Sequence, residues 1–176
     1  MIKFTPLVLV ATLPFMTACA TRLVAPVVPA AIAVPAGHSV SMKTVGVGEL
    51  TYECRAKPDT AGAYVWTFVV PVATLFTADK SRVVGTYYAG PTWQTNDGSK
   101  VTGKQLAVSP ASTPNAIPLQ LVQAAPTSGS GDMAGVSYIQ RLNTVGGVAP
   151  KDVCSANTVG AKQQVKYEAD YVFYKP

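Results

Sequence analysis

Near the C-terminus, Val165, Tyr167, Ala169, Tyr171 and Phe173 alternate with Lys166, Glu168 and Asp170. Successive side chains of an extended strand point to opposite faces, so this order makes one face apolar and aromatic and the other charged. A helix would scatter the same residues around its circumference. Residues 48–56 repeat the pattern, with Leu50, Tyr52 and Cys54 opposite Glu49, Thr51, Glu53 and Arg55. Residues 63–70 place Tyr64, Trp66, Phe68 and Val70 against Val65, Thr67 and Val69. Further strands are expected over 136–144, 81–88 and 99–108, with a short edge strand at Leu119-Gln120-Leu121-Val122 between flanking prolines.

Turn chemistry separates these runs. Asn96-Asp97-Gly98 marks a hairpin because Asn and Gly accept positive φ. Ala78-Asp79-Lys80, residues 128–131 and Gly146-Gly147 mark further turns, and the Gly46-Val47-Gly48 and Gly129-Ser130-Gly131 runs read the same way. Inside the domain no segment carries a capped 3.6-residue apolar stripe. The expectation is therefore an all-β, single-domain antiparallel β-sandwich or barrel, with short helical turns only in loops.

The first 18 residues have the layout of a signal peptide: Lys3, a short apolar run broken by Pro6 and Pro14, then small residues. Met16-Thr17-Ala18-Cys19 resembles a bacterial lipobox, while Ala18-Cys19-Ala20 also suits ordinary signal peptidase. Three cysteines are present, an odd number for an exported chain. Lipidation of Cys19 would leave Cys54 and Cys154 to pair, so a lipoprotein of the periplasm or outer membrane is expected, with plain secretion as the alternative. Residues 19–38, rich in Ala, Val and Pro, are expected to form an extended tether carrying the single histidine, His38, at its end. The β-domain is expected over 39–176.

Composition narrows the function classes. Charged residues make up 13% of the chain, about half of an average domain. The net charge of +5 comes from scattered Lys and Arg without aromatic interleaving, which argues against nucleic acid as a partner. Neither glycine run has the spacing of a nucleotide-binding loop, so no nucleotide or other cofactor is expected. One histidine and two pairable cysteines argue against a metal centre.

Several patches together resemble an uncharacterised family, DUF 3455. They are Leu50-Thr51-Tyr52-Glu53-Cys54, the run from Gly85 through Tyr87-Tyr88-Ala89-Gly90-Pro91-Thr92-Trp93, and Asp97-Gly98-Ser99. Tyr138-Ile139-Gln140-Arg141-Leu142-Asn143-Thr144 and Tyr167-Glu168-Ala169-Asp170-Tyr171 complete the set. The resemblance covers about residue 36 to the C-terminus and implies an exported protein without an established activity.

No catalytic constellation stands out. Glu168 and Asp170 share a strand face beside Lys166, which suits an ordinary exposed surface better than a hydrolase pair. The stretch from Tyr87 to Ser99 is the candidate binding site, because aromatic planes beside amides and carboxylates in a rigid loop are how β-domains hold sugars or peptides. Tyr88, Trp93 and Asp97 are its expected ligand contacts, with Gln140 and Arg141 as donors from a later strand. The alternative for Trp93 is a core plug. The chain thus reads as a binding or structural module for a glycan or an envelope protein, held at a membrane by a lipid anchor only. A carboxylate-dependent hydrolase and a purely architectural lipoprotein are the alternatives.

Overall fold

The computed structural model describes residues 23–127 and 129–176. The leader and Cys19 lie outside the described residues. Eight strands run through the rest: β1 (Ser39–Ala56), β2 (Tyr64–Thr77), β3 (Val83–Tyr88), β4 (Thr92–Thr95), β5 (Lys100–Ser109), β6 (Leu119–Ala124), β7 (Tyr138–Gly146) and β8 (Lys162–Lys175). Each pairs antiparallel with the next, and β8 returns to pair with β1, so the sheet closes on itself in chain order. Closure leaves no long unpaired edge. Among the described residues, helix is limited to single 3-10 turns at Ala30–Ile32 and Ala156–Thr158. The expected all-β antiparallel architecture is present, in its barrel-like form.

The alternation that identifies the strands also fills the ring. Leu75, Ile139 and Phe173 are fully buried inside it, with Trp93, Val101 and Tyr171 almost so. Gly46 and Gly48 lie within β1, not in a turn as their spacing suggested. A Cβ on Gly46 would stand 2.6 Å from the Tyr171 ring, and one on Gly48 would stand 2.5 Å from Ala73 Cα. Both glycines are there because β1 passes too close to its surroundings for a side chain.

Residues 92–95, read from sequence as loop, form β4. Its four residues pair with β3 on one side and β5 on the other, with Trp93 opposite Tyr87. The pleat then dictates that Trp93 points inward.

The N-terminal segment, expected as an extended tether, packs on the sheet as a strap. Ile32 is fully buried in a second apolar cluster with Val40, Leu121, Leu142, Val172 and Tyr174, outside the ring. Its carbonyl accepts a 2.7 Å hydrogen bond from Gln140 Nε2. Proline spacing prevents a regular helix here, but it does not prevent docking: Val28, Ile32 and Val34 supply enough apolar surface to hold the segment on the sheet.

Cys54 and Cys154 form a disulfide with Cα atoms 5.5 Å apart. The bond ties the end of β1 to the long β7–β8 connection. Backbone bonds at 2.9 Å flank it, from Cys54 N–H to the Ala161 carbonyl and from Gly160 N–H to the Cys54 carbonyl. Trp66 Nε1 adds a 2.8 Å bond to the Asp152 carbonyl.

Candidate functional site

The five residues expected to share a site do not meet. Trp93 is 1% exposed, stacked on Tyr87 with ring centroids 4.7 Å apart and edge-on to Tyr171 and Phe173. It is the core plug, and no ligand contact is open to it. Tyr88 faces outward and donates a 2.9 Å hydrogen bond to Gln94. Asp97 sits in the β4–β5 hairpin, where it accepts from the hydroxyls of Thr95 and Ser99 at 2.7 Å and from the Ser99 amide at 2.9 Å. Its second oxygen accepts from the Asp132 amide at 2.7 Å. These bonds hold its carboxyl well below the usual carboxylate range and make it a clasp between two loops. Gln140 is 1% exposed and points out of the ring, bridging the strap carbonyl of Ile32 and the Tyr174 hydroxyl. Arg141, one residue on, points the other way.

The opposite face of β7 matters because Arg141 lines a cavity of about 550 Å³ within the ring, at the end away from the Asp97 hairpin. The mouth of this cavity is framed by the Gly90-Pro91 turn, Phe68 and Val69 of β2, Lys104 of β5 and Pro118. Its walls carry Tyr52, Tyr87, Tyr167 and Tyr171, whose rings project inward by the same alternation that defines β1, β3 and β8. Among the described residues that line it there is no Asp or Glu.

Each polar wall group has a definable state. Arg141 donates from Nε and Nη2 to the Pro118 carbonyl at 3.2 and 2.9 Å, which fixes the plane of the guanidinium. That carbonyl is itself held: the Ile117 amide donates to Gly146 and Thr144 Oγ1 donates to the Ile117 carbonyl at 2.6 Å. The proline-rich loop that looked irregular in sequence is thus a bracket for Arg141. Tyr52 donates to the Gly147 carbonyl at 2.7 Å, and the Tyr167 and Tyr171 hydroxyls lie 3.2 Å apart. Tyr87 has no hydrogen-bond partner for its hydroxyl among the described residues. Burial pushes the Tyr87 phenol up to about 12 and raises Tyr52, Tyr167 and Tyr171 too, while the Arg141 charge opposes the rise at all four. At neutral pH the cavity therefore presents neutral phenols, with Arg141 fixed in its wall and Lys104 at its mouth.

A larger and more open concavity of about 930 Å³ crosses the sheet from β3 to β7, lined by exposed Val47, Val72 and Val145. Its charged residues are engaged elsewhere or set against each other: Lys80 pairs with Glu168, and Glu49 stands beside Lys166 in register. Asp170 accepts from Asn143 Nδ2 at 2.7 Å. Glu168 and Asp170, the carboxylates weighed for hydrolysis, thus share the outer face of β8 but each engages a different side chain, Lys80 and Asn143. Size favours this surface, but convergence favours the interior cavity, and convergence is what recognition needs. No group of three His, Cys, Asp or Glu able to hold a metal ion occurs among the described residues.

A closed antiparallel ring with an aromatic cavity at one end defines the class of molecule: a β-ring with an interior, ligand-sized recess. Residues 35–175 match the family described as a protein of unknown function (DUF3455), and the chain belongs to it. No curated protein and no solved structure matches.

Proposed function

We propose that this chain is an exported binding module that takes a small molecule, or the end group of a glycan, into the cavity inside the ring. The observation that carries the reading is the cavity itself: about 550 Å³, aromatic-walled, with one fixed guanidinium. That volume lies within the range that encloses most of a drug-sized ligand. A protein surface could not enter it, so a small ligand or chain end is favoured over a protein partner. The Cys54–Cys154 bond supports residence in an oxidising compartment, and anchorage through a lipid on Cys19 is part of the same proposal. Binding rather than turnover is favoured because the described residues that line the cavity include two cations and neutral phenols but no carboxylate, histidine or free thiol to serve as base or nucleophile.

The test uses two fluorescent probes of nearly equal shape, neutral N-phenyl-1-naphthylamine and its sulfonated relative 1-anilinonaphthalene-8-sulfonate. At least one is expected to bind with one-to-one stoichiometry. Val69→Trp, which fills the mouth from a partly exposed position, is expected to weaken that binding at least tenfold while leaving the melting temperature within a few degrees. Failure of both probes to bind the wild type would rule the reading out.

A further inference from the structure

The cavity holds an unbalanced charge. Arg141 forms no ion pair among the described residues, and Lys104 stands at the same mouth. Arg141 is half-buried, and an anion bound in the recess would give its charge a partner in surroundings less polar than bulk water. Two of the Arg141 nitrogens are spent on the Pro118 carbonyl, which leaves Nη1 without a partner among the described residues. The Tyr87 side chain is 7% exposed and brings a second unpartnered donor to the same recess. Around these donors much of the wall is ring face and aliphatic surface, among it Leu50, Phe68 and Val122, and the polar Gln105 and Gln120 bond to each other.

We infer that the cavity selects a small ligand that joins one oxyanion to a flat apolar body, with Arg141 Nη1 and the Tyr87 hydroxyl as the anion's anchors. Carboxylate, sulfonate and phosphate monoester share the needed chemistry: an oxygen that accepts from a planar cation and from a phenol at once. The apolar body fills the space between the tyrosine rings, where a fully hydroxylated neutral sugar would leave hydroxyls facing carbon. A cationic ligand is repelled by Arg141 and Lys104. The inference rests on the reading that the cavity takes a small molecule, and it adds the ligand's charge and shape.

The experiment compares the two probes, which differ in the sulfonate, by fluorescence titration of the full mature chain. Wild type is expected to bind the sulfonated probe at least tenfold more tightly than the neutral one. Arg141→Gln is expected to cost the sulfonated probe about 10- to 100-fold, the range for losing a hydrogen bond to a charged group, and to change the neutral probe less than twofold. Arg141→Lys should recover part of the loss by charge without the planar fork, and Tyr87→Phe should lose about fivefold for the anion alone. Near-UV circular dichroism confirms that each variant is folded. Should Arg141→Gln unfold, the Tyr87→Phe result and the wild-type preference decide alone. Equal wild-type affinity for the two probes would overturn the inference while leaving the cavity reading intact. Binding of neither probe would overturn both.

Discussion

At the scale of single residues, the structure turns on which way each side chain of a neighbouring pair points. Tyr87 and Tyr88 are adjacent, as are Gln140 and Arg141, and within each pair the pleat sends one inward and one outward. Tyr88, the residue expected to contact ligand, faces outward and bonds to Gln94, while its neighbour Tyr87 lines the cavity. Gln140 and Arg141 do not act as joint donors, because the pleat of β7 sends one outward to Ile32 and Tyr174 and the other into the cavity. The inward tyrosines were legible all the same. Tyr52, Tyr167 and Tyr171 lie on the apolar side of the alternation, and only the habit of assigning apolar faces wholly to core hid their hydroxyls. Trp93 is the reverse case, where the core plug weighed beside the ligand contact is what the structure has. Its indole packs against Tyr87, Tyr171 and Phe173, so Trp93→Ala is expected to destabilise the protein by about 3–5 kcal/mol. Urea denaturation would show this as a lower midpoint. A midpoint unchanged from wild type would mean that the indole is not part of the packed interior.

Among the elements, the long strands were legible and the short or irregular ones were not. β1, β2, β7 and β8 carry enough alternating residues to declare themselves, though β1 begins earlier than its pattern suggests because Gly46 and Gly48 interrupt the apolar face. β4 has four residues, too few for periodicity to show, and it is held by pairing on both sides. The strap over Ile32 was missed because its docking depends on the outer face of β6–β8, which no local pattern reveals. The disulfide was legible from cysteine count and compartment, and it joins β1 to the β7–β8 connection across 100 residues. Chain entropy puts its contribution at about 4.7 kcal/mol as an upper figure. Reduction under native conditions, or the paired Cys54→Ser and Cys154→Ser variant, is expected to lower the melting temperature by roughly 10 °C. Calorimetry checks this, and a shift within 2 °C would show that the hydrogen bonds around Cys54 suffice to hold the connection.

Considered whole, the molecule has two ends with different chemistry. One is closed by loop clasps such as that of Asp97 to Ser99 and Asp132, made of short bonds among turn residues. The other is left open, with a cation held rigidly inside it and tyrosine rings around it. A site this polar on an otherwise apolar interior costs stability, and proteins tend to accept that cost where a ligand is bound. The ring's outer face offers a larger but uncommitted surface across Val47, Val72 and Val145. Recognition inside the ring, on the proposed reading, leaves that outer surface untouched. Amide chemical-shift mapping of the ¹⁵N-labelled protein, titrated with 1-anilinonaphthalene-8-sulfonate, separates the two places in one measurement. The shifts are expected to concentrate at Leu50, Tyr52, Gly90, Gly103, Ile117 and Arg141. Shifts concentrated instead at Val47, Val72 and Val145, with the Arg141 amide unmoved, would contradict that reading.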